Sequence, residues 1–243
     1  MGTIKKSLKK FGRYIWELFK GALPMIFMYL CASMILMMLT IKGEKLQWDS
    51  KALTWTVVCA IGAAAYNALL CWAHGNSHYE MLISGNMKRM SAEQFEGGYK
   101  ISTHKEAKEY RVWKGFVMGV MAALITLAFG IAFGAMQDKI HAEEVDRGAA
   151  ILTLAGFLLS GWSLIPFYLI NESGIVVSYF FSLFFTLIPI AVSGAFYIAG
   201  AYAARAKRLR KQFAELEAAE KEANKVKKIN YGGLPGTKPK KRK

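Results

Sequence analysis

The sequence predicts an all-α protein that crosses a membrane several times, in about five apolar helices, and begins with a basic amphipathic helix. Five long apolar windows contain no Lys, Arg, Asp, Glu or His in their interior. Windows of about 18 residues or more match the ~30 Å hydrocarbon thickness of a bilayer. Backbone groups surrounded by lipid must be hydrogen-bonded within their own segment, so these windows are helices rather than strands. The charged residues, with a net charge of +15, are concentrated between the windows.

The windows set the predicted domain organisation. The transmembrane domain covers residues 21–204, with spans at about 21–41, 52–73, 115–136, 149–170 and 175–204. A charged helical extension follows at 205–229. Residues 230–243 combine Gly, Pro and a terminal run of Lys and Arg, a composition typical of a disordered basic tail.

Residues 1–20 have the pattern of a basic amphipathic helix. Apolar residues recur on one face, from Ile4 to Leu18. The candidate lipid-surface residues are Lys5, Lys6, Lys9, Lys10 and Arg13. Such a helix lies on a bilayer with its lysines toward anionic headgroups. The alternative is a solvated positive flank that only orients the first span.

The longest connection, 74–114, contains two capping-box patterns, Ser91-x-x-Gln94 and Thr103-x-x-Glu106. We therefore expect short helices separated at Gly97-Gly98. We also expect a helix that continues from His104 into the third span.

The charge distribution leaves two membrane topologies open. Five simple crossings put the chain ends on opposite sides, with little bias of Lys and Arg toward either side. If both ends are cytoplasmic, 18 basic residues near the membrane lie inside and 5 outside. We favour this arrangement, with the amino end and loop 74–114 in the cytoplasm. It requires a broken or re-entrant segment within 149–204, where Pro166, Pro189 and residues 171–174 are the expected interruptions.

The candidate chemical groups are few. Cys71, His74 and His78 form C-x2-H-x3-H, in which two histidines four residues apart could share a helix face and one metal ion. The motif lacks a convincing fourth ligand, so we expect no metal and no cofactor. No dinucleotide, P-loop, zinc-protease or nucleophile-elbow motif occurs in a fitting context.

Two sets of polar residues are candidates for an intramembrane site. Asn171, Glu172 and Ser173 would be such a site if 149–204 is re-entrant, and turn residues if it is a hairpin. Ser178, Ser182 and Thr186 recur every four residues on the fifth span, and Asn67 lies within the second. These side chains either line a polar path or hold helices together.

Small residues recur on the third span at Gly115, Gly119, Ala123, Gly130 and Gly134. Such a stripe allows another helix backbone to approach closely. Similar stripes lie at Ala60, Ala64 and Ala68, and at Ala195, Ala199 and Ala203.

These features favour a non-catalytic accessory, scaffold or assembly subunit that acts through helix packing. The alternative is a small-solute transporter, or a subunit of one, with its site at the broken helices around 166–189. A membrane enzyme remains open, although only the Cys71–His78 segment suggests one. We expect anionic lipid and a membrane-protein partner or second copy as partners, and no nucleic acid, because aromatic residues do not accompany the basic tail.

Overall fold

The computed structural model describes residues 2–42, 45–46, 50–93, 108–141 and 147–230. Its elements in chain order are α1 (Gly2–Thr40), β1 (Ile41–Lys42), β2 (Lys45–Leu46), α2 (Ser50–Glu93), α3 (Trp113–Ala135), α4 (Gln137–Ile140), α5 (Arg147–Glu172), a 3₁₀ helix (Tyr179–Thr186) and α6 (Leu187–Asn230). The two strands, of two residues each, pair antiparallel, with Ile41 opposite Leu46.

The prediction of an all-α membrane bundle is confirmed. Five helical stretches are long and apolar enough to cross a membrane. Large apolar side chains point out of the bundle along their length; Phe27, Ile61 and Leu69, for example, are each more than 60% exposed. A soluble bundle would bury such side chains, whereas lipid is an apolar solvent for them.

The first two helices are longer than their predicted spans. α1 has no break near residue 20, so the basic amphipathic segment and the first span form one helix. α2 continues through Gly75 and Asn76 to Glu93. The expected cap at Ser91 is wrong, because Ser91 lies in the last turn of α2 and does not start a helix.

The segment before α3 also differs from the prediction. Residues 109–112 are not helical, so no continuous helix runs from His104 into the third span. The Tyr110 amide donates to the His78 carbonyl at 3.0 Å, which holds this segment against α2. Gly97-Gly98 and the second capping box, Thr103-x-x-Glu106, lie outside the described residues.

α5 bends sharply at Ser160, whose φ of −137° and ψ of 20° are not helical. The rings of Phe157 and Tyr168, on either side of the bend, have centroids 5.0 Å apart. In a straight helix, eleven residues would separate their backbones by about 16 Å. Pro166 contributes to the bend, because it cannot donate to the Trp162 carbonyl and its ring crowds that group.

The arms of α5 approach the same end of the bundle. Before the bend, the ring of Phe157 packs 5.9 Å from that of Phe133, near the carboxyl end of α3. After the bend, Glu172 Oε1 lies 3.7 Å from Nδ1 of His141, just beyond α3. The bend itself reaches α1, where the Trp162 amide donates to Ser33 Oγ at 3.2 Å. α5 therefore enters the bundle and turns back.

The last predicted span is broken rather than continuous. Residues 175–178 have no helical structure, and eight residues of 3₁₀ helix precede α6. Pro189 is the third residue of α6, where its missing N–H costs no helical hydrogen bond. A regular α-helix could not extend from α6 back through residue 185, because Pro189 has no N–H to donate to the Phe185 carbonyl.

The chain divides into two compact units, residues 1–201 and 202–243. In the first unit, contacts around His78 define one end of the bundle, here called the His78 end. His78 contacts Tyr197 of α6 there. Gly21 of α1 lies beside His74 and Met118 at the same end.

The opposite end is called the His141 end. His141 contacts Tyr179 there, and Gly134 of α3 packs against Phe180. The core cluster at this end also holds residues of α1 and α2, Leu36 and Ala52. α1, α2, α3 and the segment 179–201 therefore run from one end to the other, whereas α5 does not.

The second unit, 202–243, is described as the helical continuation of α6 to Asn230. Its described side chains are mostly exposed and include many charged residues, of which Lys221 pairs with Glu217 at 3.9 Å. The basic tail at 231–243 lies outside the described residues.

Glycines hold α2 and α6 in backbone contact. A Cβ on Gly75 would overlap the Tyr197 carbonyl, and one on Gly200 would overlap the Trp72 carbonyl. Two helix backbones can approach this closely only where both lack side chains. Gly62, on the same α2 helix, has nothing within 4 Å of its Cβ position.

Gly75→Ala should therefore destabilise the protein by about 1–3 kcal/mol, because neither backbone can move away cheaply. Gly62→Ala is the matched control and should be neutral, or stabilising by up to about 1 kcal/mol through helix propensity. Thermal unfolding in detergent measures both. Equal effects of the two substitutions would contradict the close crossing.

Candidate functional site

Five polar side chains of the 3₁₀ helix and α6 share one buried face. We call this set the polar column: Tyr179, Ser182, Thr186, Ser193 and Tyr197. Their spacing of three, four, seven and four residues follows the period of a helix. All five are no more than 5% exposed, although the segment belongs to a bundle whose outer surface is apolar.

The centre of the polar column bonds to Asn67, a fully buried residue of α2. Ser193 Oγ donates to Asn67 Oδ1 at 3.1 Å. The Asn67 amide nitrogen lies 3.4 Å from both the Tyr29 hydroxyl and the Pro189 carbonyl. One side chain therefore joins α1, α2 and the start of α6.

Cys71 lies one turn beyond Asn67 on α2. Its thiol lies 3.4 Å from Asn67 Oδ1 and 3.8 Å from the Met25 sulfur. The thiol is therefore directed into the polar centre of the bundle.

The bend of α5 adds a second group of buried hydroxyls. Ser160 and Ser163 lie 3.0 Å apart, and Ser33 reaches the bend from α1. The rings of Trp162 and Tyr29 are 4.8 Å apart, so this group adjoins the Asn67 cluster. Polar groups of four elements therefore meet near the middle of the bundle.

Two polar atoms in this region lack a partner. Trp162 Nε1 and Ser182 Oγ are buried and have no hydrogen-bond partner among the residues that the structure describes. A buried polar group without a partner costs about 1–3 kcal/mol, and a ligand or an ordered water can satisfy it.

Each end of the polar column meets a histidine. At the His78 end, the Tyr197 hydroxyl lies 2.9 Å from His78 Nδ1, and the Tyr110 ring stacks on that of Tyr197. At the His141 end, the Tyr179 hydroxyl lies 3.0 Å from His141 Nε2. The donor in each pair depends on the histidine tautomer.

The sequence motif Cys71–His74–His78 lies on one uninterrupted helix, with the two imidazole centroids 5.8 Å apart. The thiol is directed toward Asn67 instead of the histidines. Among the described residues, no group of three His, Cys, Asp or Glu side chains is placed to hold a metal ion.

Asn171, Glu172 and Ser173 lie where α5 ends. Asn171 closes the following loop with two bonds to the Val177 backbone, accepting at 2.6 Å and donating at 2.9 Å. Ser173 Oγ donates to the Ile170 carbonyl at 2.6 Å and is exposed. Glu172 is half-exposed and pairs with His141. Asn171 and Ser173 thus fix the turn, and Glu172 extends the Tyr179–His141 contact.

The small-residue stripe of α3 packs within the chain. Cβ positions on Gly115 and Gly119 would overlap α6, and those on Gly130 and Gly134 would overlap the 3₁₀ helix. Ala123 is buried between these pairs. This stripe brings the polar column against α3.

The candidate lipid-surface residues are described only in part. Lys9 and Arg13 are exposed, as are the neighbouring Leu8 and Phe11. The side chains of Lys5, Lys6 and Lys10 lie outside the described set.

Sequence reasoning missed the histidine–tyrosine pairs and the Gly75–Gly200 crossing. Tyr179 and Tyr197 resemble ordinary interfacial aromatics in the sequence. Their partners are 38 and 119 residues away, so no local pattern reveals them.

Comparison with known proteins found no family model, curated protein or solved structure that matches the chain. The fold and the site themselves define the class: a multi-pass helical membrane protein with a folded-back helix and a buried polar column.

Proposed function

We propose that the protein is a small-solute transporter, or the membrane subunit of one, whose path follows the polar column. The observation that carries this proposal is the buried face of Tyr179, Ser182, Thr186, Ser193 and Tyr197, which meets Asn67 beside two helix breaks. Transport sites near the middle of a bilayer are characteristically built from interrupted helices.

The dimensions suit a path across a bilayer. Tyr179 to Tyr197 comprises eight residues of 3₁₀ helix and eleven of α-helix. At about 2.0 and 1.5 Å per residue, this segment is roughly 32 Å long, close to the ~30 Å hydrocarbon thickness.

Chemistry also supports the proposal. Burying hydroxyl, amide and phenol groups in a lipid-surrounded bundle is unfavourable compared with apolar packing. Here the groups share one buried face of the segment, and two nearby buried atoms have unused hydrogen-bonding capacity, Ser182 Oγ of the column and Trp162 Nε1 of the α5 bend. The column offers neutral donors and acceptors, so it suits small polar solutes.

The proposed path is closed in this conformation, because most members of the polar column bond to neighbouring groups of the chain. Ser193 bonds to Asn67 and Thr186 to the Leu183 carbonyl. The path can open only if an element beside the column moves. We assign this movement to the α5 bend, which the Ser33–Trp162 bond holds to α1.

An accessory or assembly role is the second candidate. Ala195 and Ala199 of α6 face outward, in contrast to the glycines of α3, and leave a small-residue surface for another membrane helix. This role would be favoured if the purified protein moves no solute alone and co-purifies with a membrane partner in mild detergent.

We further propose four crossings, formed by α1, α2, α3 and the segment 179–201, with both chain ends and loop 74–114 in the cytoplasm. The arms of α5 contain 13 and 12 residues on either side of Ser160. At about 20 and 18 Å each, neither arm spans the hydrocarbon layer alone. This topology also places most basic residues on the cytoplasmic side.

Single cysteines test the topology, in a chain whose Cys31, Cys59 and Cys71 are replaced. Ser173→Cys should react with a membrane-impermeant maleimide in intact cells. Ser84→Cys and Lys211→Cys should react only after permeabilisation. Labelling of Lys211→Cys, but not of Ser173→Cys, in intact cells would establish five crossings and contradict the proposal.

Proteoliposome swelling tests transport. Vesicles containing the purified chain are mixed with small polar solutes, such as urea, glycerol, amino acids and simple sugars, and light scattering reports entry. Losing the bond between Ser193 and Asn67 costs about 1–3 kcal/mol, so Ser193→Ala and Asn67→Ala should change the rate of a transported solute by roughly tenfold or more.

The matched control for transport is Ser84→Ala, since Ser84 is an exposed serine of α2 outside the polar column. It should leave the rate unchanged. Entry of every solute at the rate of protein-free vesicles would rule out transport by the chain alone.

A further inference from the structure

A cavity of about 230 Å³ lies at the His78 end of the bundle, partly open to the surroundings. Its walls come from α1, α2, α3 and the segment before α3. Gly21 forms part of the wall, and a Cβ there would lie 2.8 Å from the Met118 sulfur. The cavity adjoins the polar column, because His78 both lines it and contacts Tyr197.

Hydrogen-bond donors face this cavity from three sides. Lys20 comes from α1, and Lys108 comes from the segment before α3. α2 contributes His74, Ser77 and His78 within little more than one turn. An imidazole, a hydroxyl and an ammonium group all donate readily to a charged oxygen.

The charges favour an anion. Among the described residues that line the cavity, Glu17 is the one carboxylate, and it lies 3.6 Å from Lys20 Nζ. That pair is balanced, so Lys108 gives the cavity a surplus positive charge. A metal ion fits poorly, since no three ligand side chains are grouped for one among the described residues.

His78 has a defined orientation in this wall. Its Nδ1 is held by the Tyr197 hydroxyl at 2.9 Å, which leaves Nε2 for a ligand. His74 lies one turn earlier on the same face, with ring centroids 5.8 Å apart. Two imidazoles fixed at this spacing can contact different oxygens of one tetrahedral anion.

We propose that this cavity binds a phosphate group through Lys20, Lys108, Ser77 and the two histidines. A phosphate has several acceptor oxygens at tetrahedral angles, which matches donors arriving from three sides, and lysine is a common partner of phosphate. The group belongs either to a soluble phosphate or to a lipid headgroup, because the proposed cytoplasmic surface lies at this end. The inference goes beyond transport, since a binding site can exist whether or not the solute crosses.

Phosphate binding is measured without a solute gradient across a membrane. The result is therefore independent of whether the protein transports a solute. In the first arm, the purified full-length chain in phosphate-free detergent is dialysed against radiolabelled inorganic phosphate. In the second arm, nanodiscs of phosphatidylcholine, with or without phosphatidic acid, are analysed by native mass spectrometry for retained lipid. Binding in the first arm identifies a soluble anion, and binding in the second arm alone identifies a headgroup.

Lys108→Gln should weaken binding by roughly tenfold in the arm that shows it, because a charge-assisted bond is lost. Lys20→Gln should also weaken binding. The Lys20 side chain is half-exposed, so misfolding would not explain the weaker binding. Lys139→Gln is the matched control, an exposed lysine at the His141 end that should change nothing.

Two results would overturn the proposal. The first is the absence of phosphate-dependent binding in both arms. The second is equally strong binding by the Lys108→Gln, Lys20→Gln and Lys139→Gln variants. That result would place the phosphate elsewhere on this basic protein.

Discussion

A peptide group inside a lipid-surrounded bundle must find its hydrogen-bond partner within the protein, and the bond between the Trp162 amide and Ser33 Oγ meets this requirement where α5 turns back. The bend at Ser160 removes that amide from the regular helical pattern. α1 supplies the replacement acceptor, and Ser33 in turn donates to the Tyr29 carbonyl. A bent helix can therefore exist at this depth only because α1 packs directly against it.

The same requirement explains why the polar groups are concentrated. Interrupted helices leave carbonyls and amides that regular helices would use, and serine, threonine and asparagine side chains are placed to bond with them. Asn67 contacts the Pro189 carbonyl, at the start of α6, from the side of α2. A bundle that satisfies its broken backbone in this way also acquires buried polar groups in its interior, and we propose these groups as the path of a solute.

Features that depend on residues close together in the sequence could be predicted from it, whereas features that depend on distant residues could not. The spans and the interruption of 149–204 follow from apolar windows and prolines, which act locally. The position of the bend does not, because Ser160 lies six residues before Pro166 and the bend is held by Ser33 of α1, which is distant in the sequence. The glycine stripe of α3 could be recognised in the sequence. Only the folded structure shows that it packs against the 3₁₀ helix and α6 of the same chain. The His78–Tyr197 and His141–Tyr179 pairs depend entirely on which helices become neighbours.

The distance across α5 tests the central claim most directly. Spin labels at Ile151 and Ser173, both exposed, would lie about 33 Å apart along a straight helix. Double electron–electron resonance in lipid nanodiscs should instead give about 25 Å or less, because the arms turn back at Ser160. A single distribution centred near the straight-helix distance would contradict the folded-back arrangement, and with it the four-crossing topology and the polar interior built around the bend.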